Sequence, residues 1–392
     1  MMMLSKVSRS FVACNVYISA GGNPNHRDML LGLLGETQEL CHLANNNSNS
    51  DANVNVNGNN NDNANNKAEP KGSDRRVVVV HAFRDGPYDR SSFHLAGSPD
   101  LVADVGSSLA TRAVQALRET EEATTEAIGG RHPTVGLVDH VSVLPLDENN
   151  ENDDSNDNNS KQNEFARITG SVARTIGESL QSSGADVLYY GHAHPNGKEL
   201  AAVRRDSTGF FEDSKTEKTR TRSTSSTSSS SSSSSSNERI TPKLAGQATV
   251  GAPNRFVENY NIRLRPGVSR RVARTLTESV REKGGRGLLF VEALTLAYGI
   301  DQFEVACNLL DPSTTSSEDI DNRIRDWEKQ QQDEQQSDNE DASALVETAY
   351  RVGTTTGMSL EALRKVSTKE GEMAYNKEVF GRLDNDFLVR WQ

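Results

Sequence analysis

The sequence is poor in what builds and staples compact cores. Hydrophobic residues make up 34% of 392 residues and aromatics only 5%, low for a chain of this length. Three cysteines, Cys14, Cys41 and Cys307, are odd in number and widely spaced, with no CxxC. That argues against a disulfide framework or a zinc ribbon and for a reducing compartment. No apolar run approaches the length of a membrane span. The N-terminal residues hold one lysine and one arginine before a strand-like segment, with neither a long apolar region nor an extended Arg/Ser-rich leader. A cytoplasmic protein without membrane partners is expected. GxxxxGK[ST], GxGxxG after a strand, GxSxG and HExxH are all missing, so P-loop, Rossmann, serine-hydrolase and zincin chemistries lose their usual support.

The low apolar average is concentrated in four tracts: 44–73 (Asn-rich), 147–164 (Asn/Asp), 212–239 (Ser-rich) and 313–342 (acidic, Gln-rich). Such composition cannot offset its ordering entropy, so all four are expected to be disordered low-complexity loops. Outside them remain 286 residues, ample for two modest cores. The tracts carry charges of −1, −6, +1 and −7, which against −12 for the whole chain leaves the remainder at +1. The acidity therefore says nothing about the ligand of the folded part, and a strongly basic nucleic-acid surface is not expected.

Between the tracts, strands and helices alternate. Strands are expected at 12–19, 76–81, 92–96, 134–144 and 185–190. Two more come from 249–264, on either side of Gly251, and others lie at 288–297 and 302–310. Helices are expected at 26–42, 100–127, 165–180, 268–283 and 344–369, and residues 387–391 form a short apolar end. Gly129-Gly130 and Gly284-Gly285 read as helix stops. Gly284-Gly285-Arg286-Gly287 follows its helix, the wrong end for a phosphate cradle. Long helices and adjacent strand pairs predict mixed sheets with helices on one face, twice over.

Two places concentrate the eight histidines. In Gly130-Arg131-His132-Pro133-Thr134-Val135-Gly136, leading to Asp139-His140, a histidine stands in a tight turn at a strand start. Reactive groups favour such turns, and imidazole exchanges a proton near neutral pH. A lone loop histidine is as readily structural. The second place is Gly191-His192-Ala193-His194, where an HxH pair together with His132, His140 and Asp139 would suit a metal-dependent hydrolase. Arg90, Arg204, Arg205, Arg255 and Arg286 lie near turns, where guanidinium could bind carboxylate.

Five blocks in order are CNVYIS (14–19), GRHPTVGLVDHVSVLPL (130–146), LYYGHAHPNGKELAAVRR (188–205), VGAPNRFVENYNIRL (250–264) and VEALTLAYGIDQFEVACNLLDP (291–312). Together they resemble the formiminotransferase domain of formiminotransferase-cyclodeaminase, in its free-standing plant and algal form. The tracts fall between the blocks, as loop insertions would, and the cyclodeaminase domain has no room in this chain. The resemblance implies an α+β fold of two ferredoxin-like α/β subdomains whose mixed sheets face each other across a groove. Residues 10–250 would form the first and 251–392 the second. It implies transfer of a formimino group from N-formimino-L-glutamate to N5 of the co-substrate tetrahydrofolate, with no metal, small molecules as the only required partners, and room for a homodimer. His132 stands at the family's catalytic histidine, as general acid and base. Arg90, Asp85 and Asp139 are the implied substrate-binding residues, and Gly246, Gly251, Asn259 and Asn261 the implied folate-binding ones. Asp89, His192, Lys198 and Glu292 depart from the family pattern, and Asp89 and Glu292 would add negative charge beside a carboxylate site. Two alternatives follow: a folate-binding protein without transfer activity, and the metal-dependent hydrolase.

Overall fold

The computed structural model describes residues 11–51, 75–121, 134–146, 158–207, 245–282, 287–334 and 344–380. The Gly129-Gly130 stop, the His132 turn, Gly284-Gly285-Arg286, most of the Asn- and Ser-rich tracts and the 387–391 end lie outside them.

The first six elements run β1 (Phe11–Ile18), α1 (His26–Asp51), β2 (Val77–Asp85), β3 (Arg90–Gly97), α2 (Pro99–Glu121) and β4 (Val138–Leu146). Their strands stand in the order β2-β3-β1-β4, all antiparallel. That is the split βαβ arrangement of a ferredoxin-like unit. Next come α3 (Asn158–Ser182), β5 (Asp186–Gly191), α4 (Leu200–Ser207) and β6 (Gln247–Ala252). β6 and β5 extend the sheet beyond β4 as parallel neighbours, so the six-stranded sheet is mixed.

The same plan recurs in β7 (Glu258–Leu264), α5 (Arg270–Val280), β8 (Val291–Tyr298), β9 (Gln302–Leu309), α6 (Ser317–Glu334) and β10 (Val346–Val352). This sheet has the order β10-β7-β9-β8 and is wholly antiparallel, not mixed as expected. It lacks a crossover like α3–β5–α4–β6, which alone supplies parallel neighbours in the first sheet. The chain closes with α7 (Thr356–Lys365) and α8 (Lys369–Phe380).

Strand alternation assigns the faces. In β1, Val12, Cys14, Val16 and Ile18 are fully buried in the helix-covered core, while Asn15 and Tyr17 point the other way. In β7, Ile262 and Leu264 enter the second core, and Asn259 and Asn261 face outward from it. The polar faces of the two sheets line a common groove. Tyr17 Oη donates to Asn259 Oδ1 (3.0 Å) across it, and Tyr88 meets Tyr298 edge to face.

Several sequence expectations are corrected. The 313–342 tract is not uniformly unstructured, because α6 brings Ile320, Ile324 and Trp327 into the second core. An i, i+4, i+7 stripe was diluted by its acidic neighbours. Ser316 and Asp319 cap that helix reciprocally. α1 and α3 likewise reach into the two Asn-rich tracts. Asn45 exchanges two hydrogen bonds with the backbone of Val77 at the start of β2. The expected single helix over 344–369 is strand β10 followed by α7, because Val346–Val352 pairs along β7. Helix α4 was not anticipated.

The C-terminal helices return to the first core. Leu360, Leu363, Tyr375 and Phe380 belong to it, and Tyr375 Oη donates to the Val80 carbonyl. No described helix is long and apolar enough to cross a membrane. All three cysteines are free and buried, and burial pushes the Cys14 and Cys307 thiols up to about 12.

Candidate active site

The groove between the sheets measures about 1100 Å³. Single-ligand pockets span roughly 300–1,000 Å³, so this one lies just above that range. On the first sheet, strand registers align residues of neighbouring strands in rows. One row runs His81, His94, Asn15, Ser142, Gly251, Tyr190; the next runs Phe83, Ser92, Tyr17, His140, Thr249.

At one end, three charged groups converge. Tyr17 pairs with His140 and Ile18 with Val138, which leaves Asp139 as the extra residue of a bulge. Bulges re-aim side chains, and Asp139, fully buried, meets two arginines. Its Oδ2 accepts from Arg90 Nη2 (3.0 Å) and Arg204 Nη2 (3.4 Å), and its Oδ1 from the Val135 backbone N–H (2.9 Å). Arg90 also lies over the Tyr17 ring, 4.4 Å from its centroid.

Arg204 Nη2 also lies 3.2 Å from His140 Nδ1. Guanidinium can only donate, so Nδ1 accepts and the neutral ring carries its proton on Nε2. That proton faces the Tyr190 hydroxyl at 3.1 Å. Burial, then the Arg204 charge, hold the His140 pKa well below the usual imidazole value. Both ring nitrogens of His140 are thereby engaged, Nδ1 by Arg204 and Nε2 by Tyr190.

On the second sheet the focus is Glu304, fully buried. It accepts from Asn261 Nδ2 (2.7 Å), Arg263 Nε and Nη2 (both 3.2 Å) and Tyr350 Oη (2.7 Å). Burial, followed by the Glu304 charge, pushes the Tyr88 and Tyr350 hydroxyls up.

The candidates named from sequence separate clearly. Arg90, Asp85, Asn259 and Asn261 line the groove. Asp139 is buried behind it as the partner of Arg90 and Arg204. Gly246 and Gly251 do not line it. Gly246 has φ 69° and bridges Gly136, and a Cβ on Gly251 would lie 2.3 Å from the Tyr190 carbonyl oxygen; both are glycines for close backbone approach. His132 lies outside the described residues. The end of its turn is held by Gly136, whose carbonyl accepts from Ser19 Oγ (2.6 Å), and by Val135 bound to Asp139.

Of the departures, Asp89 does not bring its charge to the groove. It sits at φ 49° with its carboxylate on the Gly22 backbone N–H and 3.9 Å from His26. Glu292 and His192 do line the groove. Burial raises the Glu292 pKa, opposed by a hydrogen bond from Asn308. Lys198 pairs with Asp206 (2.9 Å). His194 Nδ1 accepts from the backbone of Asn196 (3.0 Å) and Lys198 (3.3 Å), a turn-capping role. Among the described residues no three His, Cys, Asp or Glu side chains gather as a metal site would require. Sequence reasoning missed Tyr17, Glu304 and Tyr350; their alternation with core residues in β1, β9 and β10 was the available signal.

The family model for the formiminotransferase domain, N-terminal subdomain, matches residues 52–253. This stretch runs through β2–β6 and carries Arg90, Asp139 and Arg204. The chain belongs to the formiminotransferase domain family. A formiminotransferase cyclodeaminase-like protein of Arabidopsis thaliana is 27% identical over 248 residues, covering 62% of this chain and 75% of that protein. Among solved structures, the periplasmic protease PqqL from Escherichia coli aligns with 95% of this chain and 40% of its own, at 10% identity and a TM-score of 0.14. That likeness is too slight to bear on fold or chemistry.

Proposed function

We propose that this member of the formiminotransferase family transfers a formimino group from N-formimino-L-glutamate to N5 of tetrahydrofolate, releasing L-glutamate. The observation that carries the reading is the Arg90–Asp139–Arg204 cluster at the wall of a groove of about 1100 Å³. Two guanidiniums held by one carboxylate leave one positive charge among three groups, suited to a substrate carboxylate.

In this reading N5 attacks the amidine carbon, the C–N bond to glutamate breaks, and the formimino carbon stays on N5. N5 loses a proton and the departing glutamate amine gains one. His132, in the turn that ends at Val135, takes the first and delivers the second. Confinement of both substrates in one groove lowers the entropic part of the barrier. Asp85, Asn259 and Asn261 supply polar contacts along the groove; Gly246 and Gly251 act through backbone shape rather than by contact. Three buried, unpaired thiols suit a reducing, cytoplasmic setting.

Glu292, a carboxylate on the groove wall, favours a second reading: folate binding without transfer. One assay separates the two. The full chain is incubated with both substrates and 5-formiminotetrahydrofolate is followed, with His132→Ala as control. Product from the wild type and its loss in the variant support transfer; tetrahydrofolate binding without product supports the second reading.

A further inference from the structure

Glu292 lines the groove from β8, and it is held there by a chain of hydrogen bonds that begins on the other sheet. The strand registers set Glu292 beside Asn308 of β9, and Asn308 beside Asn259 of β7. All three line the groove, and Glu292 is exposed. Tyr17 Oη, on the first sheet, donates to Asn259 Oδ1 (3.0 Å), and Asn259 Nδ2 donates to Asn308 Oδ1 (2.7 Å). With its oxygen taken, the Asn308 amide turns its N–H group to Glu292 and donates to it. Every donor in the chain therefore points toward the Glu292 carboxylate, and bonds aligned in this way polarise one another.

The buried carboxylates behind the two walls are committed to local cations, Asp139 to Arg90 and Arg204, and Glu304 to Arg263. Glu292 has a neutral amide instead, and among the described residues it forms no ion pair. Burial raises its pKa; the Asn308 hydrogen bond opposes this, Glu199 adds to it, and the charges of Arg204 and Arg205 oppose it. Arg204 is thus near enough to act on Glu292 without touching it. A carboxylate on a groove wall, with no cation of its own, suits a ligand that brings one.

The donor brings one. An amidine is a strong base and is protonated at neutral pH, so N-formimino-L-glutamate is cationic at its transferable end and anionic at its carboxylates. We propose that Glu292 accepts hydrogen bonds from the protonated formimino group of the donor, while the Arg90–Asp139–Arg204 cluster takes a carboxylate. This assignment rests on the transferase reading above and adds to it a residue that determines specificity: charges of both signs select a dipolar donor. A proton held on the amidine also keeps positive charge at the carbon that N5 attacks.

The test is calorimetric titration of the full chain with N-formimino-L-glutamate and with N-formyl-L-glutamate, a near-isostere whose formyl group is neutral. The arginines meet the same carboxylates in both, so the two compounds differ at the Glu292 end. The wild type is expected to bind the formimino compound about tenfold more tightly or better. Glu292→Gln keeps an acceptor for Asn308, so it is expected to melt with the wild type, to bind N-formyl-L-glutamate unchanged and to lose the preference. In turnover it should raise KM for the donor about tenfold or more and leave KM for tetrahydrofolate unchanged. Equal affinity of the wild type for both compounds overturns the assignment, even if the glutamine variant does not fold. A folded Glu292→Gln that keeps the preference overturns it too. In both cases product formation by the wild type leaves the transferase reading standing, whereas a wild type that binds neither compound and forms no product ends both.

Discussion

Each sheet buries one carboxylate next to the groove, and the two are balanced differently. Asp139, on a bulge of the first sheet, meets two guanidiniums, Arg90 and Arg204. Glu304, on a regular strand of the second, meets one guanidinium, Arg263, and neutral donors from Asn261 and Tyr350. The first cluster is therefore net positive and the second net neutral. Charge that exceeds local structural need is what an anionic ligand can use, so the first sheet is the electrostatic half of the groove. The second is a stiff polar wall. The histidines divide the same way: His81, His94 and His140 all lie on the first sheet, and no strand of the second carries one.

The sharpest way to break this contrast is to remove the carboxylates. Asp139→Ala leaves two buried guanidiniums facing each other, and a loss of about 3–5 kcal/mol is expected in urea unfolding. Glu304→Gln retains a hydrogen-bond acceptor for Arg263 and Tyr350, so a smaller loss, about 2–3 kcal/mol, is expected. A larger loss from Glu304→Gln would reverse the ranking of the two halves.

Acid should separate the sheets next. Burial lowers the His81 pKa to about 4 and holds His94 and His140 well below the usual value. The unfolded chain takes up these protons near pH 6.5 while the folded chain does not. Their contribution is therefore fully present above about pH 6.5 and is lost as pH falls below it, each histidine costing at most about 1.4 kcal/mol per pH unit. Urea midpoints between pH 8 and 5 should fall steeply below 6.5, and His81→Gln should flatten the slope. Hydrogen exchange should show β1–β4 loosening before β7–β10. Uniform loosening would remove the contrast.

The smallest effect sharpens the second half. Ser316→Ala deletes the cap of α6, and a loss of about 1 kcal/mol is expected, read as faster exchange in that helix.

The contrast also marks what a sequence can disclose. Core faces were legible wherever strand alternation was clean, as in β1 and β7, and the two-unit α+β plan follows from them. Helix α6 was hidden because its buried stripe is three residues in an acidic, Gln-rich background. β10 was read as helix because its partner β7 lies about eighty positions upstream, and local propensity does not register a distant pairing. At the site, Arg90 stood near a turn and was legible. The role of Asp139 depends on a bulge, which no period-two pattern foretells. Asn15 and Glu304 read as ordinary polar strand positions until a facing sheet is present.

The most direct test of the central claim is a crystal structure of the full chain with tetrahydrofolate and L-glutamate bound together. The account predicts both ligands in the groove between the sheets, with a glutamate carboxylate within hydrogen-bond distance of Arg90 or Arg204. Ligands bound elsewhere, or a carboxylate resting on the Glu304 side with both arginines untouched, would contradict it.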